Sequence, residues 1–200
     1  MRMKIWLSTA SLILAIAATS LAQEHKMENM SPEQKAQMDA MMKAMTPGDA
    51  HKLLEPLVGN FDAKITMWMD PTAPPTVTTG TATSKWVLGN REIEQRFVST
   101  MMGMPFYGIG YTGYDNVKKQ YWGTWMDNFS TSVMNQTGST TDGKSWKYTG
   151  TMPDPATGKD AVTETRFTLN DADHHTMEMW SPGHDGKMQK MMEIVYTRKK

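Results

Sequence analysis

The chain has 200 residues, with 21 Lys and Arg against 21 Asp and Glu, so its formal net charge is zero. That balance gives no electrostatic reason to expect nucleic acid or an anionic membrane surface as a partner. Cysteine is absent, which excludes disulfides and thiolate metal sites and leaves stability to a packed core.

Arg2 and Lys4 precede an apolar run from Ile5 to Ala18, and Ser20-Leu21-Ala22 is a small-x-small site. The pattern predicts a signal peptide over residues 1–22, cleaved before Gln23, and hence a periplasmic or secreted protein. The alternative is a membrane anchor, but the apolar run is shorter than the roughly 20 residues a spanning helix needs. No Cys follows the run, so a lipid-anchored lipoprotein is excluded. Cleavage leaves 19 basic against 21 acidic residues and no membrane span. About 178 residues remain, enough for one domain with its own core.

Residues 23–49 form a Met-rich helical segment and linker. Ser31-Pro32-Glu33-Gln34 is a helix start, with Ser as the cap, Pro in the first position and an acid in the first turn. Met38, Met41, Met42 and Met45 follow at i, i+3, i+4 and i+7, one face of a helix, and Thr46-Pro47-Gly48 ends it. A short second helix is predicted from His51 to Leu57.

From residue 50 to 200 the pattern changes to short strand-like segments between Gly, Asn, Asp and Pro turns. We predict strands near 60–69, 76–88, 91–101, 104–114, 119–127, 131–138, 145–152, 161–169, 174–180 and 188–198. Gly89-Asn90 and Asp142-Gly143 suit tight hairpins. Strands at this spacing with no long helix between them predict an all-β antiparallel barrel or sandwich. In the last strand Met188, Lys190, Met192, Ile194 and Tyr196 share one face, and neither face is purely apolar. That favours a barrel with a partly polar interior.

Several motifs occur in one order: Leu57-Val58-Gly59-Asn60-Phe61, Trp86-Val87-Leu88-Gly89, Gly108-Ile109-Gly110-Tyr111, and Tyr121-Trp122-Gly123-Thr124-Trp125-Met126-Asp127. Asp154-Pro155-Ala156-Thr157-Gly158 and Met192-Glu193-Ile194-Val195-Tyr196-Thr197-Arg198 complete the set. In these, residues 50 to 199 resemble the bacterial domain-of-unknown-function 1579 family of largely exported proteins. The resemblance implies a calycin-like barrel, related in shape to lipocalins, fatty-acid-binding proteins and nitrobindins, and no established reaction. By the same analogy Phe61 takes the place of the lipocalin Gly-x-Trp tryptophan. Arg198 is its expected partner, stacked on the ring and closing one barrel end.

Four groups of residues could carry chemistry. Tyr121, Gly123, Trp125 and Asp127 share a strand face, so they are either an aromatic pocket with a polar anchor or ordinary barrel core. Charges inside strands are the second group. Glu92, Glu94 and Arg96 share a face, as do Glu164 and Arg166, and Glu178 sits between two methionines. These either decorate the solvated outer face or, if interior, place Glu94, Arg166 and Glu178 beside Trp125 as a paired ligand-binding set.

Histidines form the third group. His174 and His175 are adjacent and must point to opposite faces, so they cannot share a metal. A nitrobindin-like haem site is disfavoured, because the Gly-x-Trp-x-Gly signature is absent at Phe61. The fourth group is methionine, of which there are 21. Met38, Met41, Met42 and Met45, with His25, offer soft ligands for Cu(I). Equally, a Met stripe packs on irregular apolar surfaces.

Neither Gly-x-Ser-x-Gly, a phosphate loop, nor His-Glu-x-x-His occurs. The sequence therefore predicts a non-catalytic binding barrel for a small hydrophobic molecule, with no cofactor. Copper handling by the Met/His tail is the first alternative, and an enzyme with Glu94 and Glu178 inside the barrel is the second.

Overall fold

Alternation of apolar and polar residues, broken by turn chemistry, folds the chain into ten antiparallel strands that close on themselves. In the computed structural model, residues 30–69, 73–154, 157–183 and 186–200 are described. The expected signal segment 1–22, His25, Met27 and His184 lie outside them. The strands are β1 (Gly59–Met67), β2 (Thr76–Val87), β3 (Glu92–Met101), β4 (Met104–Asp115) and β5 (Gln120–Asp127). They continue as β6 (Met134–Thr140), β7 (Ser145–Pro153), β8 (Asp160–Leu169), β9 (His174–Pro182) and β10 (Met188–Arg198). Each pairs with its sequence neighbours, and β10 returns to β1, so the barrel has no free edge.

The hairpin turns rest on local chemistry. Gly89 and Asn90 take φ of 67° and 62°, the conformation in which glycine costs least. The Asp142 carboxylate accepts hydrogen bonds from the backbone N–H groups of Lys144 and Ser145, at 2.8 and 2.7 Å, and these bonds hold its pKa down at about 2. Asp115 accepts from Val117 and Lys118 in the same way in the β4–β5 hairpin.

Helix α1 (Pro32–Met45) belongs to a compact unit of its own, and Thr46–Lys200 forms the other. Its start is a reciprocal capping box: the Gln34 N–H donates to Ser31 Oγ, and the Ser31 N–H donates to Gln34 Oε1. None of its residues is buried.

One end of the barrel is plugged. Helix α2 (Asp49–Lys52) and a 3-10 turn (Glu55–Leu57) precede β1. They deliver Leu54, fully buried, into a cluster with Ile93, Tyr121, Trp146 and Tyr148. Tyr121 Oη donates to Ala50 O at 3.0 Å, and Trp86 Nε1 donates to Glu55 Oε2 at 2.6 Å. The expected closure by Arg198 is present. Its guanidinium lies 4.7 Å above the Phe61 ring and donates to the carbonyls of Pro56 and Val58, both at 2.7 Å. Gly59 sits at φ 143°, and a Cβ there would collide with Arg198 Nη1. The sequence therefore requires glycine at the strand entrance.

Candidate functional site: a methionine-rich inner wall

Register fixes which residues face inward. Phe61 pairs with Ala82, Phe97 with Gly108, Gly110 with Trp125, Met134 with Trp125 and Tyr148 with Gly138. The buried cluster Phe61, Ala63, Ile65, Met67, Ala82, Phe97, Phe106, Ile194 and Tyr196 marks the interior. Alternation along each strand then places every other residue. Trp125 packs inward, over Gly108 and Gly110, where a Cβ on either glycine would run into the indole. Its Nε1 donates to Asp127 Oδ2 at 2.9 Å. Trp125 and Asp127 therefore act together on one inner face, the arrangement their spacing implies.

Tyr121 shares that face but belongs to the plugged end, four residues away along β5. The barrel's two ends differ in packing. At the plugged end Phe61, Trp146, Tyr148 and Tyr196 are fully buried. Toward the other end Met101, Trp125, Met177, Met179 and Met192 face inward yet are only half-buried. The inner surface thus carries buried Met67 and Met134 together with half-buried Met101, Met177, Met179 and Met192, on the same face as Trp125. Thr163 Oγ1 lies 3.9 Å from Met134 Sδ.

The expectation of interior carboxylates is corrected by the same register. Glu94 pairs with Lys85 and Tyr111, one residue out of phase with the inward Ile93 and Phe97, and so lies on the outer face. It bonds Arg96 Nε at 2.8 Å and Tyr111 Oη at 3.1 Å. The Arg96 hydrogen bond lowers its pKa, whereas an acid–base group inside a cavity would be raised. Arg166 and Glu178 face each other across β8 and β9, also outside. The Arg166 guanidinium lies 4.5 Å over the Trp180 ring and bonds Glu164, which Lys147 bonds in turn. Glu178 accepts from Trp180 Nε1 and Lys190 Nζ. Burial alone would raise its pKa, but those two donors and the nearby cations outweigh it and the net shift is downward. These residues form a charged ladder on the exterior, and the enzyme reading built on Glu94 and Glu178 falls with their placement.

Lys190 is a second correction. Simple alternation puts it on the face of Met192 and Ile194. A bulge between Lys190 and Met192 shifts the register, so Lys190 pairs with Trp180 outside while Met192 pairs with Met179 inside. The ammonium ends 5.0 Å from the Trp68 ring and bonds Glu178 and Glu193. The ionisable groups left facing inward on the strands are Asp127, His175, Arg198 and tyrosines.

His174 and His175 divide between the two faces, as their adjacency requires. His174 bonds Asp171 outside. His175 is buried, stacked 4.4 Å from Tyr196 and edge-on to Phe61 at 4.7 Å. Burial, with the Arg198 charge adding to it, pushes its pKa down to about 4. The sequence pattern did not single out His175 as interior, nor the inner methionines of β1, β9 and β10. The spacing Met177-x-Met179 is the one local signal that could have pointed to the latter. Met38, Met41, Met42 and Met45 lie on α1, where Met41, Met42 and Met45 are at least half exposed. Among the described residues no group of three or more His, Asp or Glu is placed to hold a metal ion.

No curated protein matches the chain. Among solved structures, Rv2717c from M. tuberculosis is similar at 16% identity with a TM-score of 0.56, covering 78% of this chain and 100% of its own. A redesigned β-barrel shares 12% identity at a TM-score of 0.39, covering 76% of this chain and 96% of its own. The first likeness supports the barrel fold. A family model described as a protein of unknown function, DUF1579, matches residues 46–198. The chain belongs to the DUF1579 family.

Proposed function

We propose that this is an exported, non-catalytic binding protein that holds a small, largely apolar molecule in the chamber at the open end of its barrel. The supporting observation is the pattern of burial: Trp125, Met177, Met179 and Met192 face inward in a closed barrel and yet are only half-buried. Methionine suits such a role, because its unbranched, polarizable side chain adapts to ligands of varied shape. Trp125 with Asp127 supplies a polar edge on an apolar lining, the composition typical of small-molecule sites. The charged ladder lies outside and takes no part.

The test uses an amphiphilic aromatic fluorophore, anilinonaphthalene sulfonate, on delipidated protein, beside native mass spectrometry of protein purified gently from its host. The expected result is saturable binding of one fluorophore per chain with native circular dichroism retained. Gly108→Ala, which pushes the Trp125 indole into the chamber, weakens it about tenfold or more. A bare mass together with no saturable binding by wild type overturns the proposal.

A further inference from the structure

We propose that the thioethers of Met67, Met192 and Met179 form a site for one soft monovalent cation, Cu(I) or Ag(I), on the inner wall of the barrel. The placement follows from register. Met67 on β1 is directly opposite Met192 on β10, and Met192 is directly opposite Met179 on β9. All three face inward: Met67 lies in the buried cluster, Met192 packs against it two residues from buried Ile194, and Met179 is in phase with His175 and Met177. Directly opposed residues have Cβ atoms about 5 Å apart. On the concave side of a barrel wall, side chains of adjacent strands converge. Three flexible thioethers in one lateral row therefore reach a common point without backbone movement.

The surroundings select the ion. Thioether sulfur is a soft donor suited to Cu(I), whereas hard divalent cations need oxygen ligands. The row carries no carboxylate or imidazole, and His175 lies two positions beyond Met177 in the filled end. The bulge on β10 matters here too. In regular alternation Lys190 would lie beside Met192 on the inner face and repel a cation, but the shifted register sends it to the outer face, where Glu178 and Glu193 hold it. This site is distinct from the Met stripe on α1, and it rests on the inner wall rather than on an apolar occupant of the chamber.

The experiment is a titration of the full chain with Ag(I), a redox-stable probe, followed by native mass spectrometry and by the methionine methyl resonances in NMR. Cu(I) competition against bicinchoninate gives the affinity. The expected result is one ion retained, with the methyl signals of Met67, Met179 and Met192 shifting together. The triple variant Met67→Leu, Met179→Leu, Met192→Leu keeps volume and apolarity, and it loses affinity by more than about 100-fold. The quadruple variant Met38→Leu, Met41→Leu, Met42→Leu, Met45→Leu retains it. Undiminished binding by the triple variant, loss of binding in the α1 variant alone, or no binding by wild type each overturns the proposal. Wild type is titrated separately with Ag(I) and with the fluorophore, so failure of the metal site and failure of the apolar-ligand reading are separately visible.

Discussion

Replacing His175 by Phe should make the protein less sensitive to mild acid. His175 is 3% exposed, stacked on Tyr196 and edge-on to Phe61, with the Arg198 guanidinium close enough to disfavour a second positive charge. Its pKa falls from 6.5 to about 4 in the folded chain. Because the folded value is the lower one, the unfolded state binds more protons between these two limits. Stability is therefore fully present above pH 6.5 and is lost as pH falls toward 4. Those two values give a loss of about 2 kcal/mol between pH 7 and pH 5, rising to about 3 kcal/mol at lower pH.

For a domain of this size that is a drop in melting temperature of roughly 4–8 °C by pH 5. The phenyl ring keeps the stacking and the apolar contact but cannot protonate. His51, whose pKa is also lowered, mainly by burial, adds a loss of the same sign, but it is present in both proteins and cancels. Glu94, Glu164 and Glu178 are held below the ordinary value of 4.5, so their contributions fade only at still lower pH. The assay is urea denaturation of both proteins at pH 7 and pH 5. The stability difference between His175→Phe and wild type should change by about 2 kcal/mol in favour of the variant at pH 5. A difference that does not depend on pH would refute the reasoning.

Two further outcomes follow from the closed end and the outer wall. Gly59→Ala forces a Cβ against Arg198 Nη1 at a φ that L residues rarely adopt, and it should cost roughly 2–4 kcal/mol through strain and loss of the stack on Phe61. A melting temperature within about 1 °C of wild type would contradict that account. Arg166→Ala removes an exterior, half-exposed guanidinium from Glu164 and Trp180. It should cost less than about 1 kcal/mol and leave fluorophore affinity unchanged, whereas a tenfold loss of affinity, on the order of 1.4 kcal/mol, would place the binding site outside the chamber.

The sequence by itself determined the ten strands, the hairpins at Gly89-Asn90 and Asp142-Gly143, and the capped Met helix, whereas the Phe61–Arg198 closure was implied by the family resemblance. Strand periodicity, turn chemistry and an N-cap act over a few residues, and a chain carries them before it folds. Local spacing also placed Tyr121, Gly123, Trp125 and Asp127 on one face. It could not decide which face of a strand points inward when both carry polar residues. Glu94 and Ile93 are adjacent and both buried, one under Arg96, Lys85 and Tyr111 outside, the other in the core. Nor could it foresee the β10 bulge, because an extra residue shows only against the partner strand. Met67 is far in sequence from Met179 and Met192, and only the closure of β10 onto β1 sets it opposite Met192. Tertiary structure alone decided the make-up of the inner wall, because what a barrel encloses depends on the register of all ten strands at once.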